Sequence, residues 1–151
     1  MRLAWCRLEH TGGHEAAYGL LAQLVGAPLP EICRTPLGKP FFKDEALHFS
    51  ISHTRHHAFC CVSEQNVGID AEEMGRPVDP RLADRFLSET EKARVAVAPD
   101  KNDALLRLWV LKEAAAKCSG EGLRGYPNKT DFSPDDPRVQ QIDGCYVAVI
   151  E

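Results

Sequence analysis

Gly68-Ile69-Asp70-Ala71-Glu72 and, further along, Trp109-Val110-Leu111-Lys112-Glu113-Ala114-Ala115-Ala116-Lys117 are the stretches that decide how this chain folds. The first reads as the end of a strand, where side chains repeat every second residue, so Asp70 and Glu72 share a side. The second reads as mid-helix, where positions four apart stack, so Glu113 and Lys117 are neighbours. Taken singly, an Asp-x-Glu strand end and a Glu–Lys helix pair are ordinary solvated charge. Brought together, they aim three carboxylates and one ammonium at a single point. That set suits a hard divalent cation and a phosphate ester, because Mg²⁺ takes few protein oxygens and shares the rest with substrate and water.

Size and composition narrow the field. With 151 residues and 44% hydrophobic content, the chain can bury a real core in one compact unit or in two small lobes sharing one. A net charge of −4 leaves no basic excess, which disfavours a nucleic-acid partner. There is no long apolar run and no charged-then-apolar leader, so a cytoplasmic protein with no membrane partner is expected. The six cysteines (6, 33, 60, 61, 118 and 145) contain no Cys-x-x-Cys and two are adjacent, so reduced, buried thiols are expected rather than a zinc site.

Along the chain, residues 1–8 alternate in part and predict a strand. Residues 16–25 carry an apolar helical stripe that Gly26 and Pro28 end. Residues 31–44, punctuated by Pro and Gly, read as an ordered loop. Residues 47–52 and 58–63 predict a hairpin joined near Thr54–His57, and 67–71 a third strand. A short helix over 80–86 follows. Ser88-x-x-Glu91 is a capping box that starts the next helix, and Pro99 stops it. Asp100 or Asn102 then caps a long helix over 102–118 that Gly120 and Gly122 end. Leu105, Leu108, Trp109 and Ala116 are its expected core stripe, with Leu106, Val110, Glu113 and Lys117 on an adjacent face. Residues 142–150, broken at Gly144, predict a closing strand or hairpin. Lys112 points about 100° away from Glu113, and by geometry alone is a snorkelling surface lysine. His56 and His57 read as exposed turn residues.

The order Gly-Ile-Asp-x-Glu (68–72), Phe-Leu-Ser-x-x-Glu (86–91) and Leu-Trp-x-x-Lys-Glu-Ala-x-x-Lys (108–117) resembles the 4′-phosphopantetheinyl transferases. Arg34-Thr-Pro-Leu-Gly-Lys-Pro40 and Phe49-Ser-Ile-Ser-His-Thr54 agree with it, so the resemblance runs over roughly residues 31–123. It implies an α+β fold of two similar small lobes related by a pseudo-twofold, with the active site at their seam. Residues 1–66 would form the first lobe and 67–151 the second.

The activity implied is Mg²⁺-dependent transfer of the 4′-phosphopantetheine arm of coenzyme A to a serine of an apo acyl or peptidyl carrier protein. The product released would be adenosine 3′,5′-bisphosphate. By the same resemblance, Asp70, Glu72 and Glu113 hold the metal and Glu113 and Lys117 are catalytic. Arg34, Lys39, Ser52, His53, Lys112 and Lys117 would contact coenzyme A. Arg76, Arg81 and Arg85 would face the carrier, and a chain holding both halves of its site could act as a monomer.

Three departures stand out. Only 67 residues precede Gly68, the helix over 16–25 has no Lys or Arg where relatives commonly carry basic residues, and Ser50 replaces the usual Asn. Two other readings of the same residues are a coenzyme-A- or carrier-binding module without turnover and an unrelated Mg²⁺-dependent phosphohydrolase.

Overall fold

The computed structural model describes residues 1–43, 46–122 and 130–151. Leu123, at the far end of the family resemblance, and Asp44, at the end of the expected loop, therefore lie outside the described residues. The elements run β1 (Arg2–Arg7), α1 (Gly13–Val25), β2 (Ile32–Arg34), β3 (Pro40–Phe42), β4 (His48–His53), β5 (His57–Ser63), β6 (Gly68–Glu73), α2 (Pro80–Phe86), α3 (Glu89–Val97), α4 (Lys101–Ser119), β7 (Val139–Ile142) and β8 (Cys145–Ile150). This is a mixed α+β chain, as expected.

Among the described residues, three antiparallel sheets form, in the orders β1-β5-β4, β2-β3 and β6-β8-β7. Strand β5 is buried at every position because both of its faces are covered. Ala58, Cys60 and Val62 meet Ala17, Leu20 and Leu21 of α1 on one face. Phe59 and Cys61 meet Val67, just before β6, and Ile69, Ala71, Cys145 and Val147 of the second large sheet on the other. That sheet turns Tyr146 and Ala148 outward onto Leu105, Leu108 and Leu111 of α4. The layers are therefore helix, sheet, sheet, helix, and burial of these apolar faces supplies the main driving force.

Strands β4 and β6 lie side by side without a main-chain ladder between them. The Ser50 hydroxyl accepts the Ile69 N–H at 3.1 Å and the Ser52 hydroxyl accepts the Ala71 N–H at 3.2 Å. The constant offset of 19 residues means that the two strands run in the same direction. Each N–H would otherwise be a buried donor without a partner. The Asn expected at position 50 is thus replaced by a shorter hydroxyl that still reaches across.

The 31–44 stretch corrects the loop expectation, since β2 and β3 pair as a short hairpin. Its turn closes through Gly38 N–H on Thr35 C=O at 2.8 Å, with Gly38 at φ 91°. Three-residue strands carry too little alternation to be read against that much Pro and Gly. The capping box is present as read: Ser88 accepts the Glu91 N–H, and Glu91 accepts the Ser88 N–H. Asp100, rather than Asn102, caps α4 by accepting the Asp103 N–H. Gly120, in the left-handed region at φ 75°, ends it.

Gly68 sets the approach of α4 to β6. A Cβ there would lie 1.9 Å from the Ala114 carbonyl oxygen and 2.4 Å from the Cys118 amide nitrogen. Both are backbone atoms, which cannot rotate aside. Gly68→Ala is expected to destabilise the protein by about 2–3 kcal/mol by forcing the helix off the sheet. Urea unfolding measures it, and a change under half a kcal/mol, roughly the noise of surface substitutions, would contradict this packing.

All six cysteines are free thiols. Burial pushes Cys60 and Cys61 up to about 12 and Cys145 to about 11, so these three behave as small core residues. His57 is corrected: it is buried, with Nε2 2.8 Å from Asp143 and Nδ1 3.4 Å from the Cys145 sulfur. Arg7 clasps the same Asp143 through two hydrogen bonds of 2.5 and 2.6 Å, tying the first sheet to the β7–β8 turn. Among the described residues, no helix is long and apolar enough to cross a membrane.

Candidate active site

The seam between β4, β6 and α4 opens into a cavity of about 400 Å³. One wall carries His14, Tyr18, Arg34, Ser52 and His53, and the other Asp70, Glu72, Trp109, Glu113 and Lys117. An adjoining cavity of about 240 Å³ shares Glu113 and Lys117 and adds Leu37, Lys39 and Phe49. Strand period two places Asp70 and Glu72 on the α4 side of β6, and helix stacking places Glu113 and Lys117 above them.

Lys117 is the hub of this wall. Its ammonium donates to Asp70 Oδ1 at 2.7 Å, to the Ile69 carbonyl at 3.1 Å and to the Ile51 carbonyl at 3.4 Å, so it spans both strands. The Ser52 hydroxyl donates to the same Asp70 oxygen at 3.2 Å. Asp70 Oδ2, by contrast, is buried with no hydrogen-bond partner. A buried carboxylate oxygen left unpaired is costly.

The neighbouring carboxyls feel that crowding. Burial, and then the Asp70 charge, push Glu113 up to about 7 against the opposing pull of Lys117. Glu72 is raised by burial and by Asp70, while Arg76 and the Trp109 indole N–H, both hydrogen-bonded to it, hold it back. Three carboxyls share one desolvated corner with one lysine, and a cation of higher charge would relieve the imbalance.

The residues therefore fit a hard divalent ion in their chemistry. Asp70, Glu72 and Glu113 are all oxygen ligands, and Asp70 Oδ2 needs a partner. Among the described residues, no three His, Cys, Asp or Glu side chains already stand as a ready cage. Glu72 is turned onto Arg76 at 2.5 Å, so its participation needs a side-chain rotation.

Of the contacts expected for an anionic ligand, Arg34, Ser52 and His53 reach the cavity. Ser52 is 6% exposed and its hydroxyl is engaged with Asp70 and Ala71, so its reach toward a ligand runs through Asp70. Arg34 donates to the Gly38 carbonyl at 2.9 Å, which fixes it on the β2–β3 turn. The His53 ring lies against Gly13, where a Cβ would meet it at 2.7 Å. Lys39 sits at the adjoining cavity, donating to the Cys118 carbonyl at 2.5 Å and to Asn66 at 3.3 Å. Desolvation lowers its pKa.

Lys112 corrects both expectations held for it. It is neither a surface lysine nor a wall of the cavity, but wholly buried, 2.9 Å from an equally buried Glu91. Its ammonium also donates to the Thr130 carbonyl at 2.8 Å. Of the arginines expected to face a carrier, Arg76 holds Glu72 and Arg81 holds Asp79, while Arg85 is exposed on α2. Sequence reading missed His14, Tyr18 and Trp109 as cavity residues. Trp109 was findable, since it stands four residues before Glu113 on the same helix face. His14 and Tyr18 carry the same spacing, on a helix read only for its apolar stripe.

The acidic corner faces Arg34 and His53 across an α+β seam, an arrangement of the kind that can hold a hard cation beside a phosphate ester. The chain belongs to the 4′-phosphopantetheinyl transferase superfamily, whose profile matches residues 66–146. It is 38% identical over 90 residues to the 4′-phosphopantetheinyl transferase Sfp of Bacillus subtilis (strain 168), covering 57% of this chain and 39% of that protein. It is 31% identical over 107 residues to the 4′-phosphopantetheinyl transferase gsp of Aneurinibacillus migulanus, covering 68% and 44%. The 4′-phosphopantetheinyl transferase HetI of Nostoc sp. is 31% identical over 130 residues, covering 76% and 54%. The chain thus spans about half the length, or less, of these relatives.

Proposed function

We propose that this chain transfers the 4′-phosphopantetheine arm of coenzyme A to a serine of an apo acyl or peptidyl carrier protein, with Mg²⁺ as cofactor. The observation that carries this reading is the convergence of Asp70, Glu72, Glu113 and Lys117 on one cavity whose far wall holds Arg34 and His53. Family membership and the relatives' names support it. Residues 1–66 and 67–151 are read as two related halves about a pseudo-twofold, acting as a cytoplasmic monomer. Each large sheet carrying a helix on its outer face supports that pairing.

In the reaction, the serine oxygen forms a bond to the β-phosphorus of coenzyme A. The bond from that phosphorus to the bridging oxygen breaks, and adenosine 3′,5′-bisphosphate leaves. Mg²⁺, held by Asp70, Glu72 and Glu113, would supply neutralisation of the pyrophosphate charge. Glu113, which borders the same cavity, would accept the serine proton; burial and the Asp70 charge raise it in the metal-free site, and a bound cation would hold it as the carboxylate that this role needs. Lys117, whose three N–H groups are held by Asp70, Ile69 and Ile51, offers its fixed positive charge as negative charge builds on the phosphate. Lys39, Arg34 and His53 orient the anionic end of coenzyme A.

The test is incubation with Mg²⁺, coenzyme A and a panel of apo carrier proteins, followed by intact-protein mass spectrometry. A mass gain of one phosphopantetheine arm on the carrier is expected. Coenzyme A binding without labelling of any carrier would replace this reading with a binding module, and phosphate release without labelling would replace it with a hydrolase.

A further inference from the structure

Lys112 and Glu91 form the most deeply buried ion pair among the described residues, both 0% exposed, and neither touches the cavity. Buried pairs of this kind give little net stability relative to an apolar pair of the same shape. What they impose is geometry, because both charges must be met by well-aimed partners. Glu91 meets three donors: the Lys112 ammonium at 2.9 Å, the Ser88 N–H at 2.9 Å and the Phe132 N–H at 2.8 Å. Lys112 in turn reaches the Thr130 carbonyl at 2.8 Å. One side chain of α4 is thereby fixed to the start of α3 and to residues 130 and 132.

The angular bookkeeping on α4 gives that fixture its meaning. At about 100° per residue, Ala114 lies about 200° from Lys112, nearly across the helix. Ala114 is where the backbone of Gly68 presses closest. The helix is therefore gripped on two opposed sides, by a sheet contact at Ala114 and by an ion pair at Lys112. Glu113 lies about 100° from each grip, and Lys117 about 40° from Glu113, so the two face the cavity together.

From this we infer that Glu91 and Lys112 are positioning residues for the transfer site: their ion pair sets the rotation of α4 and so the placement of Glu113 and Lys117 against Asp70. This rests on the transferase reading for its kinetic arm alone. The pair acts through the helix and touches no reacting atom.

The test compares wild type with Glu91→Gln/Lys112→Met, which removes both charges at similar volume and leaves an acceptor for the Phe132 N–H. A Trp5→Phe background is used throughout, so that Trp109, hydrogen-bonded to Glu72, is the sole indole reporting on the cavity. The double variant is expected to fold cooperatively, with kcat reduced on the order of 10²-fold and KM for coenzyme A little changed, the signature of a misplaced reacting group. The Trp109 emission change on titration with Mg²⁺ alone is expected to shrink or move to higher concentration.

Glu91→Asp, which keeps both charges but shortens the tie, guards against a double variant that does not fold. It is expected to lower kcat several-fold, again with KM preserved. Wild-type kcat and a wild-type Trp109 response in a folded variant would overturn the inference and leave the pair as plain structural support. A wild-type protein that answers Mg²⁺ but labels no carrier would sink the transferase reading instead, with the Trp109 comparison still deciding the role of the pair.

Discussion

Asp70→Asn is expected to abolish most of the proposed transfer activity, by on the order of 10²–10³-fold, while leaving the fold intact. The substitution preserves shape and removes one charge from the corner that needs a cation. Asp70 Oδ1 organises Lys117 and Ser52, and its unpartnered Oδ2 is the oxygen best placed to accept a metal. Asn keeps one acceptor for Lys117 but puts an NH₂ donor, which cannot ligate a cation, in place of the free carboxylate oxygen.

Two measurements besides activity follow. Thermal stabilisation by Mg²⁺, which grows with the logarithm of free ion over Kd, should vanish in the variant. Without Mg²⁺, the Glu113 carboxyl should also titrate lower than in metal-free wild type, because the Asp70 charge helps raise it and removing a like charge favours ionisation. Carbon-13 NMR of the glutamate side chains reads that movement. Transfer within threefold of wild type, about 0.6 kcal/mol in barrier, would remove Asp70 from the site.

The largest stability effect is expected from Lys112→Met. The side chain keeps its length but loses its charge, which strands Glu91 in the core with the Ser88 and Phe132 N–H groups for company. Breaking a buried pair from one side costs about 3–5 kcal/mol, since the remaining charge keeps its full desolvation penalty. For a chain of this size that corresponds to a thermal midpoint lower by roughly 10 °C. Calorimetry checks it, and a loss below about 1 kcal/mol would mean that water or another cation reaches Glu91. Adding Glu91→Gln to Lys112→Met should restore much of the lost stability, because it removes the stranded charge.

These two residues show where reading the letters succeeded and where it could not. Asp70 and Glu113 were legible as partners because strand period and helix period each dictate a direction. A run such as Val67-Gly68-Ile69 says which direction is inward. The capping box at Ser88 and Glu91 was legible for the same reason, being local. Its second use was not legible: Glu91 finds Lys112 only once α3 crosses α4, and nothing in a lysine beside a glutamate announces total burial. The β2–β3 hairpin was hidden by its own brevity, and the buried state of His57 by a partner, Asp143, on the far side of the chain. The Ser50 and Ser52 hydroxyls fell between the two cases. They were noticed as members of a motif, yet their work of bridging strands belongs to tertiary structure.

Those two hydroxyls have a consequence for how the protein can change. Neighbouring strands are ordinarily joined by main-chain atoms, which every residue but proline supplies alike, so most point mutations leave such a junction untouched. Here the join between β4 and β6 runs through side groups, the Lys117 ammonium and the two interchangeable hydroxyls of Ser50 and Ser52. Exchanging either hydroxyl for a longer or a shorter group would widen or narrow the mouth of the cavity by a single codon.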